Sequence, residues 1–200
     1  MSERAEQKLL TRKKLISHGL KLSADKGFSN ISLRELTSSV GLTPAAFYRH
    51  FSDMEELGLS LLDEVGLSLR KLLRDARKNS QDTSSSLTKS SIDVFINYVN
   101  ENTNHFRLLL GERQGASVSF RKAIHSEIDR FVSDLTEDLE RISSARNEKL
   151  RNPSLSAEAI VAVVFTVGAE ALDLPKHKQE SLSLRLVEEV NMILRGSKAR

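Results

Sequence analysis

The chain has 200 residues, 39% of them hydrophobic and 28% charged, enough to bury the core of one large domain or two small ones. It contains no cysteine, which excludes thiol catalysis, disulfide bonds, Cys-ligated zinc and iron–sulfur clusters. The net charge is +3, but residues 1–51 hold nine Lys and Arg against four Asp and Glu, and the remainder is slightly acidic. This asymmetry favours a polyanionic partner at the N-terminal end, and a solvated lysine-rich helix is the equal alternative.

Helical periodicity dominates the chain, and no segment alternates cleanly at period two, so the sequence predicts an all-α fold. A first helix is expected to end near Gly27. A second helix begins at Ser32, which forms a capping box with Glu35, and it ends at Gly41.

A short third helix is predicted over Thr43–His50. Thr43 is a favourable cap, and Pro44 stands in the first turn, where its missing N–H has no helical partner to lose. Asp53 and Glu56 repeat the capping pattern and predict the start of a long fourth helix.

The fourth helix is expected to stop near Lys78, and the polar stretch Asn79–Ser86 is the first clear loop. A charged loop is predicted over Ala145–Ser154. The remaining predicted helices are Leu87–Glu101, Asn104–Glu112, Ser117–Ser143, Ser156–Leu172 and Lys178–Leu194. About nine helices thus form a three-helix head, residues 1–51, and a larger helical body, residues 52–200.

The second and third helices, joined through a glycine turn, have the outline of a helix-turn-helix. At 100° per residue, Phe47 and Phe51 point inward, while Ala45 and Arg49 point outward. Small alanines let a helix approach base edges closely, and Arg49 suits a guanine edge or a phosphate. We therefore favour a DNA-binding helix over a packed helix with an incidental polar face. The predicted DNA-contacting residues are Arg12, Ser32, Arg34, Thr43, Pro44, Ala45, Ala46, Tyr48, Arg49 and His50.

Residues 11–60 resemble the N-terminal domain of TetR-family transcriptional regulators, through Gly27-Phe28, Ile31–Leu36, Gly41–Thr43 and Phe47–Phe51. The resemblance implies that the head binds double-stranded palindromic operator DNA and that the body binds a ligand and forms a homodimer.

One departure from this family concerns a lysine that often follows the recognition helix and contacts phosphate. The corresponding segment here is Ser52–Glu56, which is acidic. We therefore expect the DNA grip to depend more on Arg12, Arg34 and the helix N-terminus.

The body resembles the branch of this family that controls fatty acid metabolism. The matching segments are Glu56–Leu59, Asp63-Glu64, Gly66–Arg70, Ala76-Arg77, Phe106–Leu110, Glu112-Arg113, Phe120-Arg121 and Gly168–Asp173. The resemblance implies a repressor of unsaturated fatty acid biosynthesis or desaturation genes that responds to long-chain acyl-CoA or acyl-ACP and needs no cofactor. The alternative is a repressor of the same family that senses a drug or another small hydrophobic ligand.

Apolar faces on several body helices are compatible with an acyl tunnel, although such stripes are more often core. The predicted ligand-binding residues are Phe95, Val99, Phe106, Leu109, Leu110, Phe131 and Phe165, with Arg113 and Arg121 near a coenzyme A phosphate.

The helix Ser156–Leu172 is apolar on nearly every side, and such a helix must be covered all round. The last helix carries a matching stripe, which predicts a two-fold four-helix interface between two copies. The predicted interface residues are Ala162, Phe165, Ala169, Leu186, Val190 and Ile193.

An enzyme and a scaffold protein are the competing interpretations. The five histidines have no paired metal-ligand spacing, and no nucleophile-elbow glycine pattern is present, so we expect no catalytic residue and no metal site. A scaffold would explain the helices but not the basic head. The N-terminus lacks an apolar signal core, and the apolar stretch Ile160–Val167 is too short for a bilayer, which predicts a cytoplasmic protein without membrane insertion.

Overall fold

The structure, a computed structural model, describes residues 3–79 and 84–198. The α-helices are α1 (Glu3–Lys26), α2 (Leu33–Ser39), α3 (Pro44–Phe47), α4 (Met54–Asn79), α5 (Ser84–Glu101), α6 (Thr103–Arg113), α7 (Val118–Ala145), α8 (Pro153–Gly168) and α9 (Lys176–Gly196). Short 3-10 helices cover Phe28–Asn30 and Ala169–Leu172. In this part of the chain no strand occurs beyond an isolated bridge between Leu150 and Lys198, so the predicted all-α fold is confirmed.

Two compact units divide the chain differently from the predicted boundary at residue 51. One unit contains residues 1–65 and 104–125, and the other contains residues 66–103 and 126–200. The first unit extends past residue 51 because the start of α4 packs into the head. Gly19 of α1 lies against Leu57 and Leu61 of α4, and both leucines are almost fully buried.

Local sequence signals position the helices of the first unit. The hydroxyls of Ser32 and Thr43 and the carboxylate of Asp53 each accept a hydrogen bond from the backbone N–H three residues later, at 3.2, 3.2 and 2.8 Å. Such caps satisfy donors that a helix start leaves unpaired. Gly27 and Gly41 adopt φ values of +79° and +70°, which side chains with a Cβ rarely adopt, so each glycine ends the helix before it.

Helices α5, α8 and α9, the second half of α4 and most of α7 build the second unit. Phe165 of α8 lies between Phe95 of α5 and Phe131 of α7, with ring centroids 5.7 and 5.1 Å apart. Gly168 permits this packing, because a Cβ there would lie 2.4 Å from the Phe95 ring. Leu186 of α9 is fully buried in the same unit.

The segment Pro153–Leu172 has 20 residues and a mean hydropathy of 1.8, and by length and composition it could cross a bilayer. The apolar segment is longer than the stretch Ile160–Val167 noted in the sequence, because α8 continues into the following 3-10 helix. Within the protein, 44% of its apolar window is buried, and Ala157 is fully buried, as in the core helix of a folded domain.

Candidate DNA-binding surface and ligand cavity

The turn between α2 and α3 is held by backbone hydrogen bonds. Leu42 N–H donates to the Thr37 carbonyl at 2.8 Å, across the left-handed Gly41. The α-helical part of α3 ends at Phe47, earlier than the predicted end at His50. The N–H of His50 donates to the Phe47 carbonyl three residues back, at 2.8 Å, so the last residues form a tight turn instead of another α-helical turn.

The outer face of α3 is as predicted from the helical spacing. Phe47 and Phe51 are buried with ring centroids 5.6 Å apart. The side chains of Ala45 and Arg49 are exposed, and Tyr48 is 58% exposed. Four further residues of the predicted DNA-contacting set are exposed: Ser32, Arg34, Thr43 and Pro44. Ala46 is half-buried. Their contact with DNA stays a prediction.

Arg12 makes three contacts within the first unit. Its guanidinium lies 4.1 Å from the centre of the Phe51 ring, and it donates to the His50 carbonyl at 2.9 Å and to the Ser60 hydroxyl at 3.1 Å. A cation stacked on a ring and bonded to a backbone carbonyl fixes the segment that it touches. Arg12 therefore positions residues 50–51 at the end of the helix-turn-helix, and its contact with the DNA backbone stays a prediction.

His50 is half-buried, and its Nδ1 atom has no hydrogen-bond partner. Burial lowers its pKa below the usual 6.5, and the positive charges of Lys8, Arg12 and Arg49 lower the pKa further. Both effects favour the neutral imidazole over the charged form at the predicted DNA-binding surface.

The acidic residues after Phe51 cap α4. Asp53 accepts from the Glu56 N–H at 2.8 Å, and Glu56 accepts from the Ser52 N–H at 2.6 Å, which completes a reciprocal capping arrangement. These bonds from Ser52 lower the pKa of Glu56, so both carboxylates have a local structural partner where relatives often place a lysine.

The second unit contains a cavity of about 410 Å³, within the range of ligand sites in proteins. Phe95, Phe131 and Phe165 contribute aromatic faces to it, and the residues that line it include three cations, Arg146, Arg195 and Lys198. Aliphatic lining residues are Leu73, Leu87, Ile92, Leu135, Leu139, Ile142, Leu150, Ile160, Val161, Val164, Val190 and Leu194. The cavity thus combines a long apolar wall with basic groups.

Residues 15–61 match the family described as bacterial regulatory proteins, tetR family, and residues 84–193 match the tetracyclin repressor-like C-terminal domain. An uncharacterised HTH-type transcriptional regulator of Haemophilus influenzae is 45% identical over 195 residues, which cover 97% of this chain and 93% of that protein. The chain belongs to the TetR family. This family consists of DNA-binding transcriptional regulators, in agreement with the expectation that the chain is not an enzyme. Within the described residues, no group of three His, Asp or Glu side chains could hold a metal ion.

Solved TetR-family structures share the fold at low identity. A regulator of Mesorhizobium loti is 14% identical with a TM-score of 0.77, covering 99% of this chain and all of the other. The regulator FadR of Bacillus subtilis, in complex with stearoyl-CoA, is 14% identical with a TM-score of 0.74, covering 89% of this chain and 96% of that one. TetR regulators bind DNA as dimers and also bind a ligand.

The cavity includes only part of the predicted ligand-binding set. Phe95, Phe131 and Phe165 line it, whereas Val99 is buried in the same unit without lining it. The other predicted residues belong to the first unit and do not line this cavity: Phe106, Leu109, Leu110, Arg113 and Arg121.

Arg121, which the sequence predicts to contact a ligand head group, has partners within its own chain. Its guanidinium donates to the carbonyls of Gly115 and Ala116, at 2.6 and 2.8 Å, and so stabilises the turn that precedes α7. Sequence reasoning missed Arg146, Arg195 and Lys198, because charged loops and last helical turns are usually solvated. The available signal was the charged loop directly before the most apolar helix.

The predicted dimer residues divide into inner and outer groups. Phe165, Leu186 and Val190 are 3%, 0% and 5% exposed, so they are covered within the chain. Ala162 is exposed, and Ala169 and Ile193 are half-buried. The large exposed apolar side chains on the same two helices are Leu155, Leu184 and Met192. The first three residues are therefore core residues of their own chain, and the position of the interface on α8 and α9 stays a prediction.

Proposed function

We propose that this protein is a cytoplasmic repressor that binds a palindromic operator as a homodimer and changes its DNA affinity when a long-chain acyl-CoA or acyl-ACP occupies the cavity. The target genes would serve unsaturated fatty acid biosynthesis or desaturation. The observation that carries the proposal is the cavity of about 410 Å³, with three phenylalanine rings and three cations in its lining.

Two similarities support the acyl ligand. The body segments resemble the unsaturated-fatty-acid biosynthesis repressor FabR and the desaturase regulator DesT. The fold is also that of a regulator whose structure contains stearoyl-CoA. The chemistry agrees, since each buried methylene of an acyl chain contributes about 0.8 kcal/mol to binding.

The DNA-binding half of the proposal depends on the exposed face of α3. A duplex selected from a random pool by the protein provides the operator for a mobility-shift assay. Arg49→Ala should weaken binding by at least tenfold, as expected for loss of a base or phosphate contact. Arg151→Ala is the matched control, since it removes the same charge from an exposed position in the second unit. Equal binding by both variants would refute the assignment of α3.

The ligand half is tested with the same duplex. Hexadecanoyl-CoA, which is saturated, and hexadecenoyl-CoA, which is unsaturated, are titrated separately. We expect each to change operator affinity, with different magnitudes. If neither compound changes it while the protein still binds DNA, the acyl assignment fails.

A drug-responsive repressor is the alternative, because an apolar cavity also accepts uncharged hydrophobic compounds. Such a protein would release its operator with those compounds and would be indifferent to acyl chain length. Comparing eight-, twelve- and sixteen-carbon thioesters therefore separates the two functions.

A further inference from the structure

One end of the cavity lining carries all of its charge. The charged lining residues are Arg146 and Glu148, in the segment after α7, and Arg195 and Lys198, at the end of α9. With Glu188, which is 2.5 Å from Arg195 and does not line the cavity, this end has three cations against two carboxylates, a small positive balance. The other lining residues are apolar or carry neutral polar groups.

The two charged segments are held together by the backbone. Arg151 N–H donates to the Ser197 carbonyl at 2.8 Å, and Leu150 pairs with Lys198 in the isolated bridge. The hydroxyl of Ser156 on α8 donates to the Ser197 hydroxyl at 2.7 Å. These bonds hold the end of α9 in place independently of any charged side chain.

Among the described residues, Glu148 is the one carboxylate that lines this end of the cavity, and it pairs with a lysine. Its carboxylate is 2.8 Å from Lys198 Nζ, and the two side chains are 44% and 50% exposed. The hydrogen bond from Lys198 lowers the pKa of Glu148 most, and the charges of Lys198 and Arg146 lower the pKa further. Because exposed ion pairs contribute little net stability, another anion can replace this carboxylate at small cost.

We propose that the cavity takes a single-chain amphiphile with an anionic head group, which binds Lys198 and Arg146 at this end by displacing Glu148. The proposal rests on the proposed function for the apolar chain and adds the position and charge of the head group. A fatty acid carboxylate and the phosphates of an acyl-CoA share this chemistry.

Binding to the whole protein without DNA provides the test, by displacement of a neutral environment-sensitive dye. The probes are hexadecanoic acid, its methyl ester and hexadecanoyl-CoA. We expect Lys198→Gln to weaken binding of the anionic probes about threefold and Glu148→Gln to tighten it by a similar factor, the size expected for one exposed ion pair. The methyl ester should bind both variants as it binds the unaltered protein.

Opposite effects of two neutralising substitutions separate a head-group site from general damage to the fold. Arg151→Gln is the control, since its exposed side chain does not line the cavity, and thermal unfolding checks that each variant is folded. If only hexadecanoyl-CoA shows the opposite pattern, the head group is the phosphate; if hexadecanoic acid shows it too, a carboxylate suffices. Either result supports the proposal.

Three results would overturn the inference: binding of both anionic probes that neither substitution changes, weaker binding of both anionic probes to Glu148→Gln, or no binding of any probe. Charge-dependent binding that leaves operator affinity unchanged would instead overturn the proposed function and keep the head-group site. Binding that does not depend on charge but still changes operator affinity would overturn the head-group site and keep the proposed function.

Discussion

Gly58 of α4 packs so closely against two aromatic rings that it leaves no room for a side chain. A Cβ at this position would lie 2.0 Å from the Phe120 ring and 2.7 Å from the Phe28 ring. Both rings are buried, with centroids 5.1 Å apart, so neither can move without disturbing the other. Gly58→Ala is therefore an informative perturbation, because it adds only one methyl group.

Two opposing effects set its magnitude. Alanine is favoured over glycine inside a helix by about 1 kcal/mol. Ordinary contact needs about 3.5 Å between carbons, so the Phe120 ring must retreat by roughly 1.5 Å, and overpacking a dense core costs about 1–3 kcal/mol or more. With the upper figure for a close contact with two rings, we expect the free energy of unfolding to fall by about 2 kcal/mol. The melting temperature should fall by about 4–8 °C.

The matched control is Gly111→Ala on α6. A Cβ there meets nothing within 4 Å, so the helix preference acts alone and stability should stay equal or rise by up to about 1 kcal/mol. Urea unfolding at constant m-value measures both variants. If Gly58→Ala is as stable as Gly111→Ala, the close packing of these rings is refuted.

Three further outcomes follow from the geometry. Arg12→Lys keeps the charge but loses the guanidinium stacking on Phe51 and one hydrogen bond. The free energy of unfolding in urea should therefore fall by about 1–2 kcal/mol. An unchanged midpoint would contradict the structural role of Arg12. Burial lowers the pKa of His105, so the unfolded chain binds more protons as the pH falls below about 6.5, and stability should decrease there. His105→Gln should decrease that loss, and an identical pH profile would contradict the cause. Met192→Glu should produce monomers in sedimentation, whereas Leu67→Glu, at an equally exposed position on α4, should leave dimers. Dimers from both variants would exclude the outer face of α9 from the dimer interface.

The helix-turn-helix could be predicted closely from the sequence because its determinants are local. Ser32 and Thr43 cap helices through atoms three residues away, and Gly41 ends a helix through its own backbone conformation. The inward direction of Phe47 and Phe51 follows from helical spacing alone. Such features need no knowledge of the rest of the chain.

The roles of the arginines could not be predicted, because each is set by distant contacts. Arg12 is bonded to residues 38 and 48 positions away. Arg146 and Arg195 line the cavity only because the end of α9 returns to the segment after α7. In the sequence, a solvated arginine and an arginine that lines a site have the same charge and can have the same helix position, so the sequence does not distinguish them.

Core and surface residues of α8 and α9 could not be separated from the sequence for a related reason. An apolar helix needs cover on all sides, but the sequence does not say which side is covered by its own chain. Leu186 and Val190 are buried within the unit, and the exposed Leu184 and Met192 remain for a partner. Only the packing of α8 on α9 within one chain distinguishes these two sets.

We expect the helix-turn-helix to present fewer cations to DNA than the sequence of the head indicates. Arg12 is engaged within the head, burial lowers the pKa of His50, and the acidic residues that follow cap α4. Arg34 and Arg49 remain exposed on the helix-turn-helix. Since each phosphate contact steepens the salt dependence of binding, we expect a shallow slope for this segment and a larger share of the affinity from shape and base contacts through Ala45 and its neighbours. The rigidity that Arg12 gives to the end of α3 then matters more, because close contact with base edges tolerates less displacement than attraction to a phosphate.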